Sequence, residues 1–419
     1  MFRKYILVLI LVLTSIPVSF GQKTDAFEKT GGFARTRGMG NNPYIIDPFY
    51  VTVNPAWGAY YDHFLFGDLG GTAGAWAAGG VGQFASVNFR VNQDITVGAL
   101  LTRNDFNGFG ISRLDPFNLT GNFTSAPLPV IPLNNNLELL GTLKFGNTSV
   151  GLGIAYASTT NESSPGGTTG TTTSSASQIG FNLGIISKFS DGMLDFGAAL
   201  MLPSASFEPP SPGITIKGSQ TIINAAARLF WNYSSKLAIV PTVNFIMASG
   251  SQDVPSGTPP TAKSNDLASN MVIFGGFGIN YKVGDFLLAG GPALVYQKTS
   301  NDSNDIFANE SSSTNFMFPV WNLGMEWKMN DWLVARLGYV ASTGKQSSET
   351  TNNGVTSETI RTIFLPAPGA TVGVGFRLGS FSLDATVNED VLRQGLNNLG
   401  GNGAGAATFA YLSASYALP

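Results

Sequence analysis

The chain contains no cysteine, so disulfides and thiolate metal sites are excluded. It has one histidine, His63, in the stretch YYDHFLF, and no serine or carboxylate pattern marks a triad or zinc site around it. His63 reads as a residue at the start of a strand. Charge is scarce. Lys, Arg, Asp and Glu make up 12% of the 419 residues, about half the ~25% usual for soluble domains. The net charge of −3 gives no basic field for nucleic acid. Beyond the N-terminal stretch no apolar run approaches the ~18 residues of a membrane-spanning helix.

Glycine (51 residues) and phenylalanine (30) are plentiful. Arg3 and Lys4, the apolar run Tyr5–Phe20 and the step Ser19-Phe20-Gly21 predict a signal peptide over 1–21, with the mature chain starting at Gln22. Export, low charge, abundant glycine and aromatics, and no helical span together point to a membrane crossed by β-strands.

Seven short polar turns recur: Val91–Asp94, Gly146–Thr148, Ser190–Gly192, Tyr233–Lys236, Val283–Asp285, Met329–Asp331 and Leu378–Ser380. Each is flanked by about ten residues of period-two alternation. In TSVGLGIAYA, Val150, Leu152, Ile154 and Tyr156 oppose Ser149, Gly151, Gly153 and Ala155. In WNLGMEWKM, Trp321, Leu323, Met325 and Trp327 oppose Asn322, Gly324, Glu326 and Lys328. Aromatics such as Trp231, Tyr233, Phe286, Trp327, Trp332 and Phe381 gather beside the turns, where a membrane-boundary girdle would lie.

Between the hairpins the segments 104–136, 159–176, 203–218, 249–266, 299–314, 342–368 and 389–405 are polar and read as long loops. TTNESSPGGTTGTTTSSAS in particular reads as mobile. Short turns alternating with long loops are the asymmetry of outer-membrane barrels. Backbone polar groups cannot stay unpaired in hydrocarbon, so the sheet must close. The expected fold is all-β: a transmembrane antiparallel up-and-down barrel over 62–419. Seven hairpins, an opening strand near His63–Asp68 and a closing strand at Thr408–Leu418 predict sixteen strands, with fourteen as the alternative.

A barrel of this size has a lumen to fill. The segment Gly32–Asp62 is too broken by Pro43, Pro48 and Pro55 for one helix and too apolar for a solvated tail. It is expected to fold into the lumen as a plug (residues 22–61), with an ordered periplasmic tail as the alternative. Within it Gly38-Met39-Gly40, Asp47 and Asn54-Pro55-Ala56 resemble the N-terminal hatch of long-chain fatty-acid transporter (FadL-type) barrels and of the related PorV-type barrels of type IX secretion. The first resemblance implies uptake of hydrophobic small molecules. The second implies a plugged barrel that holds a secretion or surface protein partner.

Among residues on the polar register, Arg90, Arg228, Glu326, Arg336, Arg377 and Asp384, with Lys144, Lys282 and Lys328, are expected to face the lumen or lie near an interface, since a cation on the lipid face at midplane costs ~2–4 kcal/mol. Pairing with one another or pinning the plug is their structural reading; orienting a carboxylate or sugar is the functional one. In the first long loop, Phe106, Phe109, Phe117, Phe123, Leu128, Val130 and Ile131 are too many apolar groups for a solvated segment. They read as an outer ligand cleft or a lid over the mouth. Asp302, Asp305 and Glu310 supply oxygen atoms but lack ordered calcium-loop spacing, so that stretch reads as a solvated loop. No catalytic set, metal or cofactor is marked. The expected partners are outer-membrane lipid, a hydrophobic small molecule and, on the scaffold reading, another protein. Three functions remain open: passive uptake, a non-transporting scaffold, and a general porin.

Overall fold

The computed structural model describes residues 29–70, 82–106, 108, 110–120, 133–164, 170–209, 214–256, 261–301, 309–352, 355–387 and 409–419. The expected signal peptide lies outside these residues. Seventeen strands are present among them. In chain order they are β1 Phe64–Gly70, β2 Gly82–Arg90, β3 Ile95–Arg103, β4 Asn135–Phe145, β5 Thr148–Ser163 and β6 Thr172–Phe189. There follow β7 Gly192–Glu208, β8 Ile216–Asn232, β9 Leu237–Ser256, β10 Thr261–Asp266, β11 Ser269–Val283 and β12 Phe286–Asn301. The last five are β13 Asn309–Lys328, β14 Leu333–Asn352, β15 Val355–Leu378, β16 Phe381–Val387 and β17 Phe409–Ala417.

Neighbouring strands pair antiparallel, and β1 pairs with β17 from Phe64↔Ala417 to Gly70↔Tyr411, which closes the sheet. β10 pairs only with the far end of β9, while β11 pairs with β9 directly. The ring therefore holds sixteen strands, and closure leaves no unpaired edge facing lipid.

All seven short turns sit at one end of the barrel, built as their residues dictate. Asn92 Oδ1 accepts from the amides of Asp94 and Ile95, both at 2.9 Å. Asn330 Oδ1 does the same for Trp332 and Leu333, at 3.0 and 2.8 Å. Gly146, Gly284 and Gly379 take left-handed φ values of 58, 56 and 64° in theirs. The outward register is apolar and uncovered: Leu139, Leu152, Ile154, Leu323 and Leu337 are all exposed, a surface that suits hydrocarbon rather than water. At the turn end the aromatics form the girdle. Phe286 stacks on Trp327 at 5.4 Å between centroids, and Trp332 on Phe376 at 6.2 Å.

The expected long loops are corrected in part. Residues 159–163, 172–176, 203–208, 216–218, 249–256, 261–266, 299–301, 309–314, 342–352 and 355–368 are strand, not loop, and the described part of TTNESSPGGTTGTTTSSAS is largely paired backbone. Beyond the ~9–11 residues that cross a bilayer, both faces of a strand meet water, so the alternation that marks a strand disappears. Serine and threonine still hold the ladder, through hydroxyl pairs such as Ser175–Ser206 and Ser177–Ser204, both at 2.8 Å.

Candidate functional site

The N-terminal segment occupies the lumen at the turn end. Helix α1 (Phe33–Gly38) packs on β14 to β17, and two short 3-10 helices (Pro48–Thr52 and Pro55–Ala59) follow, the second resting on β3 to β6. Local chemistry explains both 3-10 helices. Each has proline at its first position and a capping side chain before it: Asp47 accepts from the amide of Phe49, and Asn54 from that of Ala56, both at 2.9 Å. Gly40 takes φ +73°, and a Cβ there would meet the backbone of Leu323 and Tyr339 within 3.1 Å, so the Gly38-Met39-Gly40 turn lies directly on the wall.

Two charge clusters tie this segment to the barrel. In the first, Arg35 forks onto Glu326 (2.7 and 3.0 Å) and reaches Asp47 (3.2 Å). Arg336 bridges Glu326 and Asp384, both at 2.6 Å, and Arg377 reaches Asp384 at 3.0 Å. Acid and base alternate along the chain Asp47–Arg35–Glu326–Arg336–Asp384–Arg377. Alternation is what allows so many charges to stay buried: each is within hydrogen-bond range of an opposite one. Burial pushes the Asp47 carboxyl up to about 6, against the pull of Arg35 and of the Phe49 and Gly32 amides. Nearby, the amide of Phe33 donates to Asp68 (3.1 Å) and that of Ala34 to the Ser413 hydroxyl (2.8 Å), which itself donates to Asp68.

The second cluster centres on Asp195 of β7. It accepts from Asn54 (2.5 Å), Trp57 Nε1 (3.2 Å) and Arg228 (2.5 and 2.9 Å). Arg228 donates further to the carbonyls of Pro43 (3.2 Å) and Ile45 (2.9 Å), and lies 3.5 Å from the centroid of the Tyr50 ring.

An aromatic core joins segment and wall. Phe49 contacts Phe33 (5.0 Å between centroids), Phe84 (6.2 Å) and Phe106 (6.3 Å). Phe106 comes from the chain after β3, which turns inward from the opposite end. There Ile111, Ser112 and Leu119 are fully buried. Gln178 donates to the Arg113 carbonyl (2.8 Å) and accepts from the Asp115 amide (2.9 Å), and the Ser112 hydroxyl donates to Glu138. Asp115 ties the turn together by accepting from the amides of Leu119 and Thr120, at 2.6 and 2.9 Å.

Between segment and wall lies a cavity of about 470 Å³. Phe33, Phe49, Tyr50 and Val53 line one side, and Ile246, Val272, Phe274 and Val295 the other. Its polar lining is sparse: Arg37, Asn41, Asn42, Asn244, Asn322 and the paired Asp195 and Arg228 are the main groups. A second void of about 770 Å³ opens at the turn end, lined by Arg35, Ile45, Ile46, Tyr61, Lys282 and Glu326 among others.

The structure places the sequence-derived candidates as follows. Gly38, Met39, Gly40, Asp47, Asn54, Pro55 and Ala56 are all buried, Asp47 among partners within the segment itself. Arg228, Glu326, Arg336, Arg377 and Asp384 face the lumen and touch the segment or each other. Arg90 does not: it is exposed and reaches Asp62 at the turn end (3.1 Å), because β2 ends there. Lys144, Lys282 and Lys328 are likewise exposed beside the turns. In the first loop, Phe106 belongs to the aromatic core rather than to an outer cleft, since Phe49 and Phe84 offer it burial. Phe117 packs half-buried beside Ile111. Phe109, Phe123, Leu128, Val130 and Ile131 lie outside the described residues, as do Asp302 and Asp305. His63 precedes β1 and its carbonyl accepts from the Leu418 amide (2.7 Å).

Sequence reasoning passed over Arg35, Asp68, Glu138 and Asp195. Glu138 and Asp195 carried a usable signal: each stands on the inward register between apolar neighbours, Leu137 and Leu139 in one case, Leu194 and Phe196 in the other. Arg35 carried none, for its partner Glu326 is 291 residues away.

No family model matches the chain, and no curated protein sequence does. Among solved structures it is similar to the Pseudomonas putida toluene transporter TodX (TM-score 0.35, 11% identity, 94% of this chain and 97% of TodX). It is also similar to the FrpB iron transporter from Neisseria meningitidis (TM-score 0.39, 10% identity, 77% of this chain), of which it spans 61%. A third is the copper transporter OprC (TM-score 0.33, 10% identity, 84% of this chain and 76% of OprC).

Proposed function

We propose that the chain is an outer-membrane barrel for passive uptake of small hydrophobic or amphipathic molecules, with the N-terminal segment as a hatch. The observation that carries this reading is the largely apolar cavity of about 470 Å³ between segment and wall. A pocket of that size and lining suits a small organic molecule. The likeness of Gly38–Gly40, Asp47 and Asn54–Ala56 to FadL-type hatches points the same way. A general porin fits less well, since its lumen would be open to water. The test is uptake of the apolar fluorophore N-phenyl-1-naphthylamine into liposomes carrying the purified protein. Uptake well above that of empty liposomes supports the reading; no difference from empty liposomes overturns it.

A second reading, a non-transporting scaffold, is favoured by one feature. β13, β14 and β15 run to 20, 20 and 24 residues, well past what a bilayer requires, and raise a tall wall of paired strand outside it. Co-purification of one stoichiometric protein partner, with silent liposomes, would select this reading.

A further inference from the structure

The two voids in the lumen are separated by α1 and by the six residues that follow Gly40, Asn-Asn-Pro-Tyr-Ile-Ile. Asn41, Asn42 and Pro43 line the apolar cavity, while Ile45 and Ile46 line the void at the turn end. The two parts of this partition are held differently. Helix α1 is fixed by the Arg35–Glu326 fork and by Asp68 and Ser413. No carboxylate stands on the strap Asn41–Ile46, and wall side chains hold it mainly by its carbonyls. Asn322 donates to Gly40 (3.0 Å), Asn280 to Tyr44 (2.7 Å), and Arg228 to Pro43 and Ile45.

The strap is stiff within itself and hinged at its start. The Tyr44 amide donates to Asn42 Oδ1 (3.0 Å), closing a turn around Pro43, whose ring fixes φ. Gly40 and Asn41 are consecutive left-handed residues, φ +73 and +51°. Asparagine pays a modest steric cost there and glycine none, so the pair is where the chain can swivel. At the middle of the strap Tyr44 is fully buried. Its ring fills the slot left by Gly276 and Gly278 on β11, and its hydroxyl donates to the Pro292 carbonyl (3.1 Å).

We propose that the strap Asn41–Ile46 is the gate between the apolar cavity and the turn-end void, and that Tyr44, seated in the Gly276–Gly278 slot, is its latch. The proposal rests on the uptake reading for its purpose, but its geometry can be tested without it. Opening requires that Tyr44 leave the slot and its Pro292 bond, that the four wall-to-carbonyl hydrogen bonds pass to water, and that Asn42 release the Ala289 carbonyl (2.8 Å) and Arg35 of α1 the Ile46 carbonyl (2.8 Å), while α1 and both 3-10 helices stay in place.

The absence of native cysteine makes a direct test available. An ideal Cβ on Gly278 would touch Cγ of Tyr44, one bond beyond Tyr44's own Cβ. Cysteines at the two positions therefore have Cβ atoms within about 4 Å, the range a disulfide needs. In liposomes carrying Tyr44→Cys/Gly278→Cys, oxidation should slow uptake of N-phenyl-1-naphthylamine at least tenfold and reductant should restore it, with wild type indifferent to both. Where the wild type transports, equal rates in the oxidised and reduced forms overturn the gate.

A second measurement is independent of transport. Thr242→Cys places one thiol on the cavity wall. A membrane-impermeant thiol reagent supplied from the turn end should label it about tenfold faster when Tyr44→Ala is added. An unchanged labelling rate also overturns the gate, whereas silent wild-type liposomes with faster labelling would overturn only the uptake reading.

Discussion

Gly110, in the chain that turns inward after β3, lies against the carbonyl oxygen of Thr52 in the N-terminal segment. Two pieces of chain thus enter the lumen from opposite ends and meet inside. Gly110 has φ +86°, and a Cβ would overlap Thr52. Gly110→Val should therefore unseat the inward turn, through a left-handed penalty of roughly 1–2 kcal/mol and the clash added to it. Limited proteolysis should cut near Arg113 in this variant and spare the wild type; equal resistance would show that the contact does not hold the turn.

Asp195 is the acceptor for four donors and is nearly inaccessible. Asp195→Ala leaves Arg228 buried without its carboxylate and should cost about 3–5 kcal/mol. The double variant Asp195→Leu/Arg228→Met removes both charges and should be markedly less destabilised than the single one. Thermal unfolding of the detergent-purified proteins, followed by the loss of β-sheet circular dichroism, gives the ordering.

Glu326 is shared by Arg35 and Arg336. Glu326→Gln keeps its shape and removes its charge. The Arg35→Met and Glu326→Gln changes should be non-additive by roughly 1–3 kcal/mol, because each removes the same interaction. Protease resistance of the N-terminal segment, measured across the double-mutant cycle, reads this directly. Additive effects would mean that the segment is held mainly by its aromatic core.

Leu152 and Thr160 share the outward face of β5, eight residues apart. Leu152→Lys places a cation in the apolar band and should cost about 2–4 kcal/mol. Thr160→Lys lies where the strand has left the lipid and should be near neutral. Folding yield into lipid vesicles, scored by heat-modifiable gel mobility, should separate the two. Equal yields would argue against the assigned boundary of the apolar band.

Some of this was legible in the chain and some was not. The turns could be read because they are local: Asn92, Gly146 and Asn330 satisfy their own neighbours. The membrane-crossing strands could be read because lipid on one face and polar surroundings on the other impose a period of two, as in Thr148–Ala157. The upper halves of β5, β6, β14 and β15 could not, since a strand with water on both sides has no period to display. Phe106 was legible as apolar but read as an outer cleft or lid, because its place in the core depended on Phe49, far upstream.

The sequence by itself determined that the chain is a closed, lipid-facing cylinder, for alternation and tight turns are properties of a few adjacent residues and hydrocarbon leaves backbone amides no other way to pair. Only the tertiary structure decided what lies inside that cylinder and how it is held there. Which carboxylate meets Arg35, which slot receives Tyr44 and where the inward turn lands on Thr52 all depend on the register of strands hundreds of residues apart.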